Sequence, residues 1–371
     1  MNLSKKIIVT AVILVFIAGL ILTGCKTTTA QETTAAEVTT AAETTATAET
    51  ETAETTAAET ASVDEVAKNK AGDIINIAAI DFPQFEVYTY RINEAMKAAT
   101  DYGVKYRLIV PAEITVESNV EAITNAVNQN FDAIIFEPWV PDAFKEVVDM
   151  AKSQGIPMVN VHVPYNDESG YISQIVVDNA QYGINAADII NKEKGGKANI
   201  MILMNAPDIE NQRIQKEAFE KRCAELSPDL KIVTTEFTMA DAVKGAEVME
   251  AAFNAHPEID AMLFLESGSI SSAVSITKEL GINDKVMILG IDANKDVVES
   301  IKKGELWGTL VQNMWKQGYE SIRNIVDYYL GNPFPKNTDA GAVLITKDNV
   351  DNWMDTMLEP IAVKGKPYPN L

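Results

Sequence analysis

From Asp73 onward the chain alternates short β-branched runs with stretches whose apolar residues recur three and four apart, and this alternation restricts it to an α/β fold. The runs lie at 74–80, 104–110, 133–136, 158–161, 172–177, 198–204, 231–237, 261–265, 286–291 and 308–312. Between them, Ile92, Ala95, Met96, Ala99 and Tyr102 form one helical face, with Gly103 as a C-terminal stop. Val243, Ala246, Val248 and Ala251 form another. Apolar runs separated by helices indicate parallel sheets covered on both faces. The runs are too many for one comfortable sheet, so two similar Rossmann-like lobes are expected. Gly281, Gly304, Gly318 and Gly331 are expected at helix ends or starts, and Gly195-Gly196 joins a helix to the strand at Ala198. No glycine cluster has the spacing of a phosphate loop or a dinucleotide fingerprint.

The N-terminus bears on the compartment. Lys5 and Lys6 precede an apolar run over 7–22, which Thr23-Gly24-Cys25 closes. That run is shorter than the roughly 20 residues of a comfortable membrane span. Residues 22–25, Leu-Thr-Gly-Cys, resemble the bacterial lipobox. Residues 1–24 are therefore expected to be a signal peptide, and Cys25 to carry lipid that holds the chain at the outer face of the cell membrane. Within 25–72, the stretch from Lys26 to Ser62 is built almost wholly from Thr, Ala and Glu. Lacking large apolar residues, it reads as a self-repelling tether. The chain has two cysteines; with Cys25 acylated no internal disulfide can form. Cys223 falls in an amphipathic stretch and reads as a small buried hydrophobe.

A net charge of −22, from 53 acidic against 31 basic residues, excludes the basic face that nucleic acid requires.

In open α/β sheets ligands bind beyond the carboxyl ends of the strands. Phe82, Phe85 and Tyr88 follow the first run, Glu137 and Trp139 the third, and His162 the fourth. Glu266, Asp292 and Gln312 stand at the ends of later runs, and Arg213 lies early in the helix after 198–204. Carboxylate, amide and guanidinium groups match adjacent ring hydroxyls, and aromatic faces pack on the C–H faces of the same ring. The set thus points to a sugar or a sugar-like ligand. Glu137, His162, Glu266 and Asp292 lack a tight metal-ligand spacing, so no metal and no cofactor is expected. No nucleophile elbow, Ser-His-Asp set or P-loop is present, which argues against an enzyme. Glu137 with Asp292 as a glycosidase pair is the one enzymatic alternative.

Several short motifs, in order, resemble the ribose/galactose type of periplasmic binding protein. They are Ile156-Pro157-Met158-Val159, the approach from Ala255 through His256, Pro257 and Ile259 to Ala261, Leu289-Gly290-Ile291-Asp292, and the closing Ile345-Thr346-Lys347 with Asn349-Val350. The resemblance implies the type I fold: two lobes with parallel sheets, 73–177 with 313–340 and 178–312 with 341–371, joined by a three-strand hinge. It implies ligand contacts at Tyr88, Glu137, His162, Glu266, Asp292 and Gln312. It further implies a monomer that delivers a small molecule to an ABC transporter permease, with presentation to a chemoreceptor or sensor kinase as the alternative. This chain departs from the ribose-type pattern in carrying Glu137 and Glu266 for asparagines, His162-Val163 for an Asp-Arg pair, Gln215 for an arginine, and no aromatic near Ala240. A sugar, polyol or amino sugar bound otherwise than ribose is expected. With Arg213 the one nearby arginine, repulsion among the three carboxylates is expected to raise at least one of their pKa values on closure.

Overall fold

The computed structural model describes residues 66–358; the signal peptide, Cys25, nearly all of the tether and residues 359–371 lie outside them. The first lobe opens with β1 (Asn76–Ile80), α1 (Glu86–Tyr102), β2 (Lys105–Ile109) and α2 (Val116–Asn128). It continues through β3 (Ala133–Phe136), α3 (Lys145–Ser153), β4 (Met158–His162) and β5 (Ser173–Val176). The second lobe runs α4 (Asn179–Glu193), β6 (Ala198–Met204), α5 (Glu210–Leu226), β7 (Leu230–Phe237) and α6 (Ala242–Ala255). After these come β8 (Ala261–Phe264), α7 (Ile270–Glu279), β9 (Met287–Ile291), α8 (Lys295–Lys303) and β10 (Gly308–Gln312). The chain ends with α9 (Met314–Leu330), β11 (Asn337–Asp339), β12 (Ala342–Thr346) and α10 (Trp353–Leu358).

Two six-stranded sheets result, ordered β11-β5-β4-β3-β1-β2 and β12-β10-β9-β8-β6-β7. All pairings are parallel except β12 on β10, which is antiparallel. The central strands β3, β4, β8 and β9 are buried along their whole length, as strands covered on both faces must be. Helix starts are fixed by side-chain caps: Thr115, Asp178, Asp241 and Asn313 each accept a backbone N–H from the first turn of α2, α4, α6 and α9. Gly103, Gly304 and Gly331 end α1, α8 and α9 in the left-handed region, where a Cβ would be strained.

Gly318 departs from expectation. It lies inside α9, not at an end, because α9 crosses α1 there; a Cβ on it would stand 2.1 Å from the carbonyl oxygen of Arg91. Cys223 is buried, and burial pushes its thiol up to about 12.

The chain passes between the sheets after β5, after β10 and between β11 and β12. These passages are tied together. One carboxylate oxygen of Asp339 accepts from the backbone N–H groups of Asp178 (3.0 Å) and Gly341 (2.8 Å). Asn313 N donates to Gly341 O at 3.0 Å, and Ala340 N to Val176 O at 2.8 Å.

Candidate functional site

A cavity of about 560 Å³ opens between the carboxyl ends of the two sheets. Eight of the expected positions line it: Phe85, Tyr88, Glu137, Trp139 and His162 from the first lobe, with Glu266, Asp292 and Gln312 from the second. The other two do not. Phe82 is buried behind Trp139, with ring centroids 4.6 Å apart, and backs the cavity wall instead of forming it. Arg213 points out along its own helix and is engaged by Glu210 and Glu217, at 2.8 and 2.6 Å.

Glu137 organises the first-lobe wall. Its Oε1 accepts from the Tyr88 hydroxyl (2.9 Å) and Trp139 Nε1 (2.7 Å), and lies 2.8 Å from His162 Nδ1. Its Oε2 accepts from Arg91 at 2.7 Å. Arg91, which the strand-end reasoning missed, rises from α1 and forks onto Asp81 through Nε (2.8 Å) and Nη2 (2.7 Å). All three charges are at least nine-tenths buried. Burial alone would raise the Glu137 carboxyl, but His162 and Arg91 outweigh it and hold the group at about 2. Asp81 is pushed up by burial against the pull of Arg91.

The second-lobe wall is arranged otherwise. Asp292 follows β9 with a φ of 61°, and its backbone is held by Thr309 Oγ1 to its carbonyl (2.7 Å) and by its N–H to Leu310 O (3.0 Å). Gln312 Nε2 donates to Asp292 Oδ1 at 3.1 Å. Glu266 is clasped by its own loop, accepting from Gly268 N at 2.6 Å and from the Ser269 hydroxyl. Burial raises Asp292 to about 6 and also raises Glu266. The expected upward shift is therefore found, but its main cause is burial; the charge of Glu137 is a lesser contribution to Asp292. The arginine beside the carboxylates is Arg91, not Arg213.

Three buried polar atoms on cavity-lining residues have no hydrogen-bond partner among the described residues: His162 Nε2, Gln312 Oε1 and Asn211 Oδ1. Asn211, on the first turn of α5, was also missed. Gln215, one turn on, is wholly buried, with its Nε2 on Asn179 Oδ1 at 2.7 Å. Among the described residues, no group of three or more His, Cys, Asp or Glu side chains could hold a metal ion.

The lobes meet at both rims of the cavity. The backbone N–H of Lys295, at the start of α8, donates to Glu86 Oε1 at 3.1 Å, and the Tyr90 hydroxyl donates to Ala293 O at 3.2 Å. On the other rim, Glu210 N donates to Trp139 O at 3.4 Å.

Comparison with known proteins agrees with this geometry. The ribose import binding protein of Bacillus subtilis is 27% identical over 217 residues, covering 58% of this chain and 68% of that protein. The xylitol-binding protein of Mycolicibacterium smegmatis is 28% identical over 243 residues, 64% of this chain and 67% of the relative. Among solved structures, a glucose-galactose binding protein from Geobacillus stearothermophilus superposes with a TM-score of 0.72 at 19% identity, over 75% of this chain and 99% of the other. A solute-binding protein of an ABC transporter from Burkholderia graminis, in complex with D-arabinose, gives 0.71 at 24% identity, over 75% and 97%. These likenesses carry the fold: two α/β lobes of the type I arrangement. The profile described as "Periplasmic binding protein domain" matches residues 88–333, well over half of the sequence, and the chain belongs to that family of extracytoplasmic binding proteins.

Proposed function

We propose that this protein captures a small polyhydroxylated molecule, a sugar or polyol, between its lobes and delivers it to the permease of an ABC transporter. The single observation that carries the proposal is the cavity itself. Both lobes line it, and lining residues from each carry buried polar atoms without partners among the described residues: His162 Nε2 on one side, Gln312 Oε1 and Asn211 Oδ1 on the other. An unpaired buried polar atom costs about 1–3 kcal/mol, so a ligand that pairs with atoms on both lobes favours the closed arrangement over an open one. The ligands named for the relatives, ribose and xylitol, support the class. The wall residues Glu137, Glu266 and His162 argue against ribose held as the ribose-type receptors hold it.

Movement would occur about the three passages, with 73–177 and 313–340 turning against 178–312 and 341–371. The Asp339 clasp keeps the passages in register during that turn. In this reading Cys25 carries the lipid and residues 26–65 form the tether, the expected boundary at 72 being corrected because Ala67 is buried in the core and Asn69 bonds to Asp132; the closed protein acts as a monomer with no chemistry of its own on the ligand.

Native mass spectrometry of protein purified without denaturation tests the proposal. One small molecule bound per chain, released on unfolding, supports it. A protein that turns over chromogenic glycosides would overturn it in favour of an enzyme.

A further inference from the structure

The cavity wall is short of positive charge. None of its lining residues is Lys or Arg, whereas Glu137, Asp208, Asp241, Glu266 and Asp292 all line it. The one cation directly behind it, Arg91, is shared between Asp81 and Glu137.

Several of the side-chain protons nearest the carboxylates are already committed. The Tyr88 hydroxyl and Trp139 Nε1 spend theirs on Glu137. His162 Nδ1 lies 2.8 Å from Glu137, and its Nε2 has no partner among the described residues. Gln312 donates to Asp292 and leaves its Oε1 without a partner; the Ser269 hydroxyl is spent on Glu266. Amide and hydroxyl donors remain on Asn205, Asn211, Gln212 and Ser267, so what the wall lacks is a cation.

A neutral sugar can use those donors but leaves the carboxylate charge uncompensated. Each of its hydroxyls carries two acceptor lone pairs beside its one proton and needs donors in return. An ammonium group has three donors and no acceptor, and it also compensates buried carboxylate charge.

We infer that the ligand carries a protonated amine, an amino sugar or an amino polyol, with its ammonium group beside Asp292 and Gln312. This inference deepens the capture reading and rests on it. Asp292 is the specificity-determining group. It is 95% buried, and an uncharged ligand would leave its ionised form uncompensated.

Titration calorimetry at pH 7.5 with matched pairs tests the inference: D-glucose and D-glucosamine, D-galactose and D-galactosamine, xylitol and its monoaminodeoxy analogue, and a cyclitol and its monoamine. The amine is expected to bind at least tenfold more tightly than its hydroxyl partner in any pair that binds. Asp292→Asn, close in shape and free of the buried charge, should bring that ratio close to one. Hydroxyl members that bind as tightly as their amines, or a ratio unchanged in Asp292→Asn, would overturn the inference and leave the capture of a polyhydroxylated ligand standing. Failure of both members of every pair to bind would overturn both readings together.

Discussion

His162 and Asp292 occupy equivalent places in the two lobes. Each stands at the carboxyl end of the third strand of its sheet, β4 or β9, and each has a positive φ, 67° and 61°. A residue with a Cβ pays roughly 1–2 kcal/mol to sit there. The backbone accepts that strain because neighbours over-determine it: Val163 N reaches back to Val161 O at 2.8 Å around His162, while Thr309 and Leu310 hold Asp292. The result is an imidazole and a carboxylate turned inward from opposite sides of one cavity.

Asp292 links that strain to pH. Its folded pKa, about 6, lies above the ordinary 3.8, so the folded protein holds this proton more tightly than the unfolded chain. Stability therefore falls as pH rises from about 3.8 to about 6, and the cost, about 3 kcal/mol, persists above that window. Asp292→Asn should thus stabilise the ligand-free protein at pH 7.5 by up to that amount, with the gain fading towards pH 4. Urea unfolding at the two pH values measures it.

Glu137 has the opposite sign. Its folded pKa of about 2 lies below the ordinary 4.5, so its contribution is complete above pH 4.5 and is lost as pH falls towards 2. Glu137→Gln removes that contribution and loosens its hold on four side chains at once, Tyr88, Trp139, His162 and Arg91. Ligand affinity is expected to fall by more than tenfold in calorimetry, together with a loss of about 2–3 kcal/mol in urea unfolding at pH 7.

Arg91 carries the cost of two buried carboxylates. Arg91→Met leaves Asp81 and Glu137 without their cation and should destabilise the fold by about 3–5 kcal/mol. A chemical-denaturation midpoint close to that of the parent would contradict the shared ion pair.

Gly318 lets α9 approach α1 beside that arginine. Gly318→Val places methyl groups where the Arg91 carbonyl already stands, and a loss of at least about 1–3 kcal/mol is expected from overpacking. The same substitution at Gly281, whose Cβ would meet nothing within 4 Å, separates backbone strain from that clash.

Glu86 closes one rim by capping α8 across the cleft. Removing a carboxylate from a helix N-terminus costs about 0.3–1 kcal/mol. Glu86→Ala should therefore weaken ligand affinity about two- to fivefold through faster release, read by stopped-flow dissociation.

Much of this was legible in the sequence, and the failures have physical causes. Each strand from β1 to β10 overlaps an expected β-branched run; the central ones do so because strands buried on both faces must be apolar throughout, while the half-exposed edges β2 and β7 keep alternating apolar residues. β11 and β12 escaped. The first is a three-residue Asn-Thr-Asp edge with no apolar signal; the second, Ala-Val-Leu-Ile-Thr, had an apolar run that went unused, and only its antiparallel pairing with β10 is tertiary information. Eight of the ten positions proposed from strand ends and the helix after β6 line the cavity. Arg213 was misplaced because two residues along a helix turn the side chain about 200°, so that Asn211 faces the cavity and Arg213 faces solvent. Arg91 had a signal that went unused: a charge beside Ile92 on the apolar face of α1, one turn after Tyr88. A buried charge in such a place requires a partner.

The central claim is that one small molecule is held by atoms of both lobes. Calorimetry of the ligand recovered from the native protein, against His162→Ala in the first lobe and Gln312→Ala in the second, tests it most directly. The account predicts that each variant, still folded, binds about tenfold or more weakly, as expected for a lost buried hydrogen bond of about 1.5 kcal/mol. Parent-like affinity in either variant would show that the ligand rests on one lobe alone, and would contradict it.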